Sequence, residues 1–322
     1  MRLFKKKFNY LKTEVFYVRR LLKEGYGPRY WWPYIKNAYF GNYLVKYMPA
    51  CAYEPDPEIE LHTICHTQGV WMMYWMVRSL VAHTGLRPVI VIHDGGLDQD
   101  AVKTIAMKLP TAKIMFYKDT PERLRGVPGL PEIIKEAGIN GHFFLTKIIN
   151  PVVFSRAKRL LVTDIDILYY QPPTEIIDFM NGNSQYDALV QQGPEGISPQ
   201  GVPYGSFDLM VDDYYSDKYR LKEKDIARLN GGYILVRKDK LTIDKLAEFL
   251  EHNKRPLKDY FLEMSAWACL LAQMNYKLLP SNRYQVKYRV NDQTVMKHFT
   301  SPRRYEMFAY GIDKARENIG KK

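Results

Sequence analysis

From residue 60 onward, short and almost wholly apolar runs alternate with longer amphipathic stretches. Residues 60–67, 88–93, 113–117 and 159–163 read as strands. Residues 70–83, ended by Gly85, read as a helix, and so do residues 98–109, capped by Asp98 and stopped by Pro110; a third helix is predicted over 141–156. A Pro- and Gly-rich loop runs up to Pro131 before it. Strands and helices taking turns at these lengths predict an α/β fold, a mostly parallel, doubly wound sheet flanked by helices. In such a sheet ligands bind beyond the carboxyl ends of the strands, which directs attention to the residues just after each one. The second half is less regular: strands are predicted at 186–191, 232–236, 277–279 and 295–299, helices at 242–253 and 258–274, and a long loop at 193–225 carries Tyr204, Tyr214, Tyr215 and Tyr219. A loop of that length in a compact domain is usually functional or mobile.

Charge changes the picture at one end only. The chain carries +12, and residues 1–50 alone carry +9 together with fourteen of its aromatic residues, among them Phe4, Phe8, Phe16, Tyr17, Tyr30, Trp31, Trp32 and Tyr34. Rings that sit at an interface beside cations that meet phosphate are the composition of a surface for anionic lipid, and that is the leading reading. A structural arm packed on the domain comes second, and a nucleic-acid patch third. The proline-rich stretch 47–57 reads as the linker out of this arm. The expected organisation is therefore a basic aromatic arm and linker over 1–57, the main domain over 58–312 and a basic tail over 313–322. No run approaches the roughly 18 apolar residues needed to span a bilayer, and the basic start lacks the apolar core of a secretory signal. Those features, with Cys51, Cys65 and Cys269 forming no C-x-x-C pair, predict a cytoplasmic protein, peripheral on the inner face of the membrane. The first strand is not followed by G-x-G-x-x-G, which argues against a nicotinamide dehydrogenase.

The sharpest chemical signal lies between Leu160 and Pro173, where a buried strand runs directly into Asp164 and Asp166. Carboxylates at the end of an apolar strand are costly unless paired, and two this close repel. A hard divalent cation, Mg²⁺ or Mn²⁺, resolves the conflict and commonly bridges protein carboxylates to substrate phosphates. By strand-end position alone, His66 and Thr67 after the first strand and Asp94 after the second are candidates for nucleotide contact.

The Asp164–Asp166 segment resembles the D-x-D motif of GT-A glycosyltransferases, and more closely the retaining galactosyltransferase and glycogenin-like members. Other segments match in order across roughly residues 60–310. Phe144-Leu-Thr-Lys147 stands where those enzymes place a basic residue near the nucleotide-sugar. Asn230-Gly231-Gly232 resembles their N-[SG]-G strand beside the donor sugar. Glu263-Met-Ser-Ala resembles their acidic helix start, and Leu279-Pro-Ser-Asn282 the segment after it. His298-Phe-Thr-Ser-Pro-Arg-Arg304 resembles an H-F-x-G-x-x-K element whose His is a third metal ligand and whose basic residue meets the diphosphate. Met264 replaces a common Gln, Ser301 a common Gly, and Arg304 a Lys, keeping the charge and adding bidentate capacity.

The resemblance implies a metal-dependent glycosyltransferase. Its donor would be a nucleotide-sugar, with a UDP-sugar favoured, and its acceptor a glycan or lipid-linked glycan. Asp164, Asp166 and His298 would hold Mn²⁺ or Mg²⁺; Lys147 and Arg304 would neutralise the diphosphate; Asn230, Gly231 and Gly232 would border the donor. If the reaction inverts, Glu263 is the candidate base; if it retains, which the His298 element favours, Glu263 orients donor or acceptor. A GT-A-like module that binds sugar nucleotides or glycans without turnover is the alternative.

Overall fold

The computed structural model describes residues 2–193 and 229–320. Its main sheet has seven strands: β1 (Asp56–Cys65), β2 (Pro88–Asp94), β3 (Lys113–Met115), β4 (Arg159–Thr163), β6 (Ala188–Gln192), β7 (Leu229–Arg237) and β8 (Tyr276–Leu279), in the order β3-β2-β1-β4-β7-β6-β8. β7 is antiparallel to both its neighbours, and every other pairing is parallel. The period of two along β4 explains why the sheet is covered on both sides: Leu161 faces one core, shared with Leu61, Ile90 and Trp75, while Leu160 and Val162 face another, shared with Ile148, Ile234 and Trp267. Cys65 and Cys269 lie in these cores as small apolar residues.

Helices alternate with the strands as the pattern predicts. α4 (Val70–Thr84) ends at Gly85, which adopts φ 69° and donates its N–H to Val81, a left-handed cap that glycine reaches without steric cost. α5 (Gln99–Lys108) starts from Asp98, whose carboxylate accepts from the Ala101 N–H. The stretch read as loop up to Pro131 contains a short helix, α6 (Thr120–Arg125), and the helix read over 141–156 is split. α7 (Glu132–Asn140) precedes it, a 3₁₀ turn covers Phe143–Leu145, and α8 (Thr146–Phe154) follows. Further on come α9 (Thr174–Met180), α10 (Ile243–His252) and α11 (Leu262–Leu271). Of the loop read at 193–225, all but its first residue lies outside the described residues.

A second, three-stranded sheet joins β5 (Ile167–Tyr169), β10 (Met296–His298) and β9 (Tyr284–Gln285). It brings the chain after Asp166 alongside His298, with His298 opposite Ile167 in antiparallel register.

The N-terminal segment forms α1 (Arg2–Lys23), α2 (Trp31–Tyr39) and α3 (Gly41–Leu44). Tyr17, Leu21, Tyr26 and Tyr34 pack against Tyr305 and Ala309. Beneath them Glu306 and Lys297, both fully buried, pair at 2.9 Å; Arg303 joins Glu306, and reaches Glu24 at 3.3 Å. Burial draws the Lys297 ammonium down to about 8 even with Glu306 beside it. Asn42 caps α4 from outside, accepting from the Trp71 N–H at 2.9 Å. The residues expected as a basic tail are helical instead: α12 (Ile312–Gly320) buries Ala315 completely in the main core, because Ile312, Ala315 and Ile319 repeat at helical spacing. No helix among the described residues is long and apolar enough to cross a membrane.

Candidate active site

In the strand order the direction of growth reverses between β1 and β4, and the crevice at such a switch point is where open α/β sheets bind ligands. Asp164 leaves β4 at this point, its N–H donating to the Gly232 carbonyl at 2.8 Å. Asp166, two residues on, is 3% exposed. β10 delivers His298 from the other side, and one ligand atom from each of Asp164, Asp166 and His298 falls within 4.8 Å of the others. His298 Nε2 stands 3.2 Å from Asp166 Oδ1 and 3.6 Å from Asp164 Oδ2.

Each carboxylate has its own cation. Lys147, in the first turn of α8, donates to Asp164 Oδ1 at 2.7 Å, and Arg304 donates to Asp166 Oδ2 through Nη2 at 2.6 Å and Nε at 3.2 Å. Burial by itself would raise the Asp166 carboxyl, but Arg304 and His298 outweigh it and hold the group well below the usual carboxylate range. Lys147 Nζ also lies 3.5 Å from Glu263 Oε1 at the start of α11. Burial opposes the Lys147 charge, and the two carboxylates more than restore it, so its pKa is raised. For Glu263 burial wins: its pKa is raised despite Lys147.

Two buried oxygens fit the idea of a ligand arriving here. Asp166 Oδ1 and Glu263 Oε1 are sealed from solvent, and each has only a loosely placed neighbour, His298 Nε2 at 3.2 Å and Lys147 Nζ at 3.5 Å, without a well-directed hydrogen bond. A buried carboxylate oxygen without one is costly, and the first lies inside the Asp164–Asp166–His298 group. Two carboxylates and an imidazole suit Mn²⁺ and Mg²⁺-like hard cations better than thiophilic ones, so the residues fit a divalent ion.

Behind the ligand set lies a residue that sequence reasoning passed over. Gln191, fully buried at the end of β6, donates its Nε2 to the carbonyls of Tyr284 and Gln285 at 3.3 and 3.2 Å. That fixes the amide's orientation and leaves Oε1 3.2 Å from His298 Nδ1 and 3.1 Å from Asn230 Nδ2. Asn230 Nδ2 is itself 2.9 Å from His298 Nδ1, while its Oδ1 accepts from the Gly232 N–H at 2.9 Å. The available signal was a pair of glutamines closing an apolar strand, a polar end that a core strand has no reason to carry.

The remaining sequence candidates divide. Gly232 lies at the centre, where a Cβ would come within 2.3 Å of His298 Cε1 and 2.7 Å of Asp164 Oδ2. Gly231 faces Met264 and Glu263. His66 is half-buried at the end of β1; burial lowers its pKa, with Arg304 adding to the effect and Asp166 opposing it. Thr67 and Asp94 are engaged in their own loop: Thr67 Oγ1 donates to the Gly96 carbonyl at 3.1 Å and accepts from the Asp98 N–H, and Asp94 Oδ1 accepts from Gly96 and Leu97.

The architecture is shared with solved glycosyltransferase structures. The apo WbbM bifunctional glycosyltransferase aligns with a TM-score of 0.51 at 12% identity, over 85% of this chain and 51% of that one. This is the GT-A fold. The chain thus spans about half the length of the WbbM chain. The LgtC galactosyltransferase in complex with donor and acceptor sugar analogues aligns at 0.46 and 13% identity, over 81% of this chain and 95% of that one. Mouse xyloside xylosyltransferase 1 in its apo form aligns at 0.45 and 10% identity, over 75% and 96%. At 12% identity the likeness to WbbM is one of fold. No family model matches the sequence, and no curated protein sequence matches it.

Proposed function

We propose that the chain is a metal-dependent glycosyltransferase that moves a sugar from a nucleotide-sugar, a UDP-sugar in the favoured case, to a glycan or lipid-linked glycan. The observation that carries this reading is the convergence of Asp164, Asp166 and His298 within 4.8 Å at the switch point, flanked by Lys147 and Arg304. A GT-A fold and glycosyltransferase neighbours support it.

Asp164, Asp166 and His298 would hold Mn²⁺ or Mg²⁺, which supplies positive charge against a departing diphosphate. Lys147 and Arg304 are cations already fixed at the crevice, so they meet phosphate oxygens without reorganising. Arg304 can grip two oxygens at once. Gly232 keeps the floor open, and the Glu263 carboxylate beside Gly231, held only at 3.5 Å by Lys147, is placed to accept from a hydroxyl of the donor sugar. With Lys147 as its neighbour and a side chain only 6% exposed, Glu263 is better suited to orient the donor than to take a proton from an acceptor entering from solvent. That favours retention of configuration.

The arm supports a membrane-proximal acceptor. Its inner face is packed, yet Phe16, Leu22, Trp31, Trp32, Phe40 and Tyr43 remain exposed on it amid a strong positive charge, as expected of a peripheral surface on anionic lipid at the cytoplasmic face. Vesicles of phosphatidylglycerol and phosphatidylcholine should co-sediment the protein, and Trp31→Ala/Trp32→Ala should weaken this; equal sedimentation of the variant would remove the membrane role.

The deciding experiment is a thermal-shift screen of nucleoside diphosphates and sugar nucleotides, with and without Mn²⁺, on the wild type and on Asp166→Ala. A ligand that binds the native state raises Tm by mass action. A shift that needs both the metal and Asp166 supports the reading and selects the nucleotide; no shift with any nucleotide under any metal refutes it and leaves a glycan-binding module without turnover.

A further inference from the structure

A cavity of about 650 Å³ opens between the arm, the loop at 289–292 and α12, and no residue of the candidate active site lines it. It reaches Tyr170 and Gln171, at the far end of β5 from Asp166; at roughly 3.3 Å per residue, the four steps from Asp166 to Tyr170 span about 13 Å. The volume is that of a small-ligand site, for which roughly 300–1,000 Å³ is typical.

Its walls are aromatic and held in place. Tyr26 and Tyr310 stack at 5.9 Å and 15°, and Tyr30 meets the edge of Tyr26 at 5.0 Å. Both Tyr26 and Tyr310 donate their hydroxyls to the buried Glu306, at 3.1 Å each, so neither ring is free to swing. Arg289 lies 4.1 Å over Tyr26, and Arg29 4.8 Å over Tyr30. The polar lining holds both signs: Arg29, Arg289 and Lys314 stand with Asp292, Asp313 and Glu317, Asp313 being paired in turn with Lys36 at 2.9 Å and Arg316 at 3.2 Å. The amides of Gln171, Asn291 and Asn318 complete it, two of them anchored to backbone, Asn318 on the Tyr170 carbonyl at 3.1 Å and Gln171 on that of Asp292.

This chemistry selects among ligands. A site for phosphate or a lipid headgroup would gather cations without carboxylates among them; this one sets the exposed carboxylates of Asp292 and Glu317 beside its cations. An apolar ligand would not need so many planar donors and acceptors. Rigid aromatic faces beside carboxylates, amides and guanidinium groups match a molecule with apolar C–H faces and a rim of neutral hydroxyls. We infer that this cavity is a carbohydrate-binding site, separate from the crevice at the switch point, that takes a neutral oligosaccharide. It is built by the arm and the C-terminal helix together, which gives the packing of one on the other a purpose beyond stability. The inference does not depend on turnover at the other site.

Saturation-transfer NMR of the full chain with neutral di-, tri- and tetrasaccharides of glucose, galactose, mannose, N-acetylglucosamine and rhamnose tests it. At least one sugar is expected to bind saturably. Tyr30→Ala, and separately Asp292→Ala/Glu317→Ala at the cavity rim, should each weaken it roughly tenfold, equivalent to about 1.4 kcal/mol. Asp164→Ala should leave it intact, and inorganic phosphate should not displace it. The double variant alters exposed side chains, so it keeps the test valid if Tyr30→Ala loosens the arm. The inference is overturned if no sugar in the panel saturates, if phosphate competes, or if binding survives the cavity variants, whatever the effect of Asp164→Ala.

Discussion

Tyr17 Oη donates a hydrogen bond to the Ser301 carbonyl at 2.8 Å, tying the first helix to the segment that carries Arg304 into the active site. The Tyr17 ring also lies 5.9 Å from that of Tyr305, the residue after Arg304, and Glu24, in the turn just past the end of that helix, holds Arg303. Three contacts from the arm thus brace both neighbours of Arg304 and the turn before it. Ser301 stands where the H-F-x-G-x-x-K element that this segment resembles has glycine, and its carbonyl is engaged by the arm.

If the arm sets the reach of Arg304, Tyr17→Phe should slow transfer without unfolding the protein. The substitution removes one partly buried hydrogen bond, about 1 kcal/mol, and keeps the ring. We expect kcat/KM for the nucleotide donor to fall roughly fivefold, a factor equivalent to about 1 kcal/mol, with Tm lowered by only a few degrees. A Tm loss with unchanged kcat/KM would mean that the arm stabilises the fold and does not position Arg304.

Gly232 and Gly231 should differ sharply although they are adjacent. A methyl group on Gly232 would enter the space between His298 and Asp164, at 2.3 and 2.7 Å, whereas on Gly231 it would meet Met264 Cγ at 3.2 Å, the flexible part of a side chain. Gly232→Ala should therefore abolish the metal-dependent nucleotide shift and nearly all activity, and Gly231→Ala should retain most of both. Equal loss in the two variants would indicate that the backbone, not the space around His298, is what the glycines protect.

How far the sequence could be read follows from which interactions are local. β2, β4, α4 and α5 announce themselves because burial pattern, cap and stop all lie within the element. Asp164 and Asp166 were legible for the same reason: the strand that buries them is contiguous with them. Lys147, Glu263, His298 and Arg304 came from the resemblance, and their meeting at one crevice is a property of the fold. β5 was missed because three residues after a D-x-D show no period. α7 was missed because its own Gly138, required where Leu124 Cδ1 would come within 2.3 Å of a Cβ, reads as a loop residue. The docking of α1 on Tyr305 spans almost the whole chain, and no local pattern marks it.

Gln191 shows what that non-locality conceals. Its amide orientation is fixed by two backbone carbonyls, so Oε1 is presented to His298 Nδ1, which also lies 2.9 Å from Asn230 Nδ2; in the tautomer whose Nδ1–H donates to Gln191 Oε1, Nε2 is free to act as a ligand. Gln191→Ala should weaken Mn²⁺ affinity roughly tenfold to a hundredfold, the usual effect of losing such a supporting contact. Metal titration monitored through the nucleotide-induced Tm shift checks it. Unchanged affinity in Gln191→Ala would assign the orientation of His298 to Asn230 instead.

Lys147 is one buried ammonium serving two carboxylates, at 2.7 Å from Asp164 and 3.5 Å from Glu263. Asp164 is 40% exposed at its side chain, so water can screen it when the lysine is removed; Glu263 is buried and cannot be screened. In Lys147→Met the raised pKa of Glu263 should rise further, since the cation that counters its burial is gone. A carboxyl with a raised folded pKa takes up its proton more readily in the native state than in the unfolded chain. The native state is therefore favoured most below the unfolded value of about 4.3, and that advantage is lost as pH climbs through the folded value. Lys147→Met should accordingly be less stable than the wild type by about 3–5 kcal/mol near neutral pH, the usual cost of breaking a buried pair, and the gap should narrow as pH falls through the raised Glu263 value toward the unfolded one. Adding Glu263→Gln removes the stranded charge, so the double variant should regain much of the lost Tm and show little of this pH dependence. Transfer should stay impaired in both, roughly a hundredfold or more if Lys147 stabilises the departing diphosphate. Restored stability with transfer still impaired would separate the lysine's part in the fold from its part in the reaction; a Tm gap that does not change with pH would show that Glu263 is not the group Lys147 holds in its charged form.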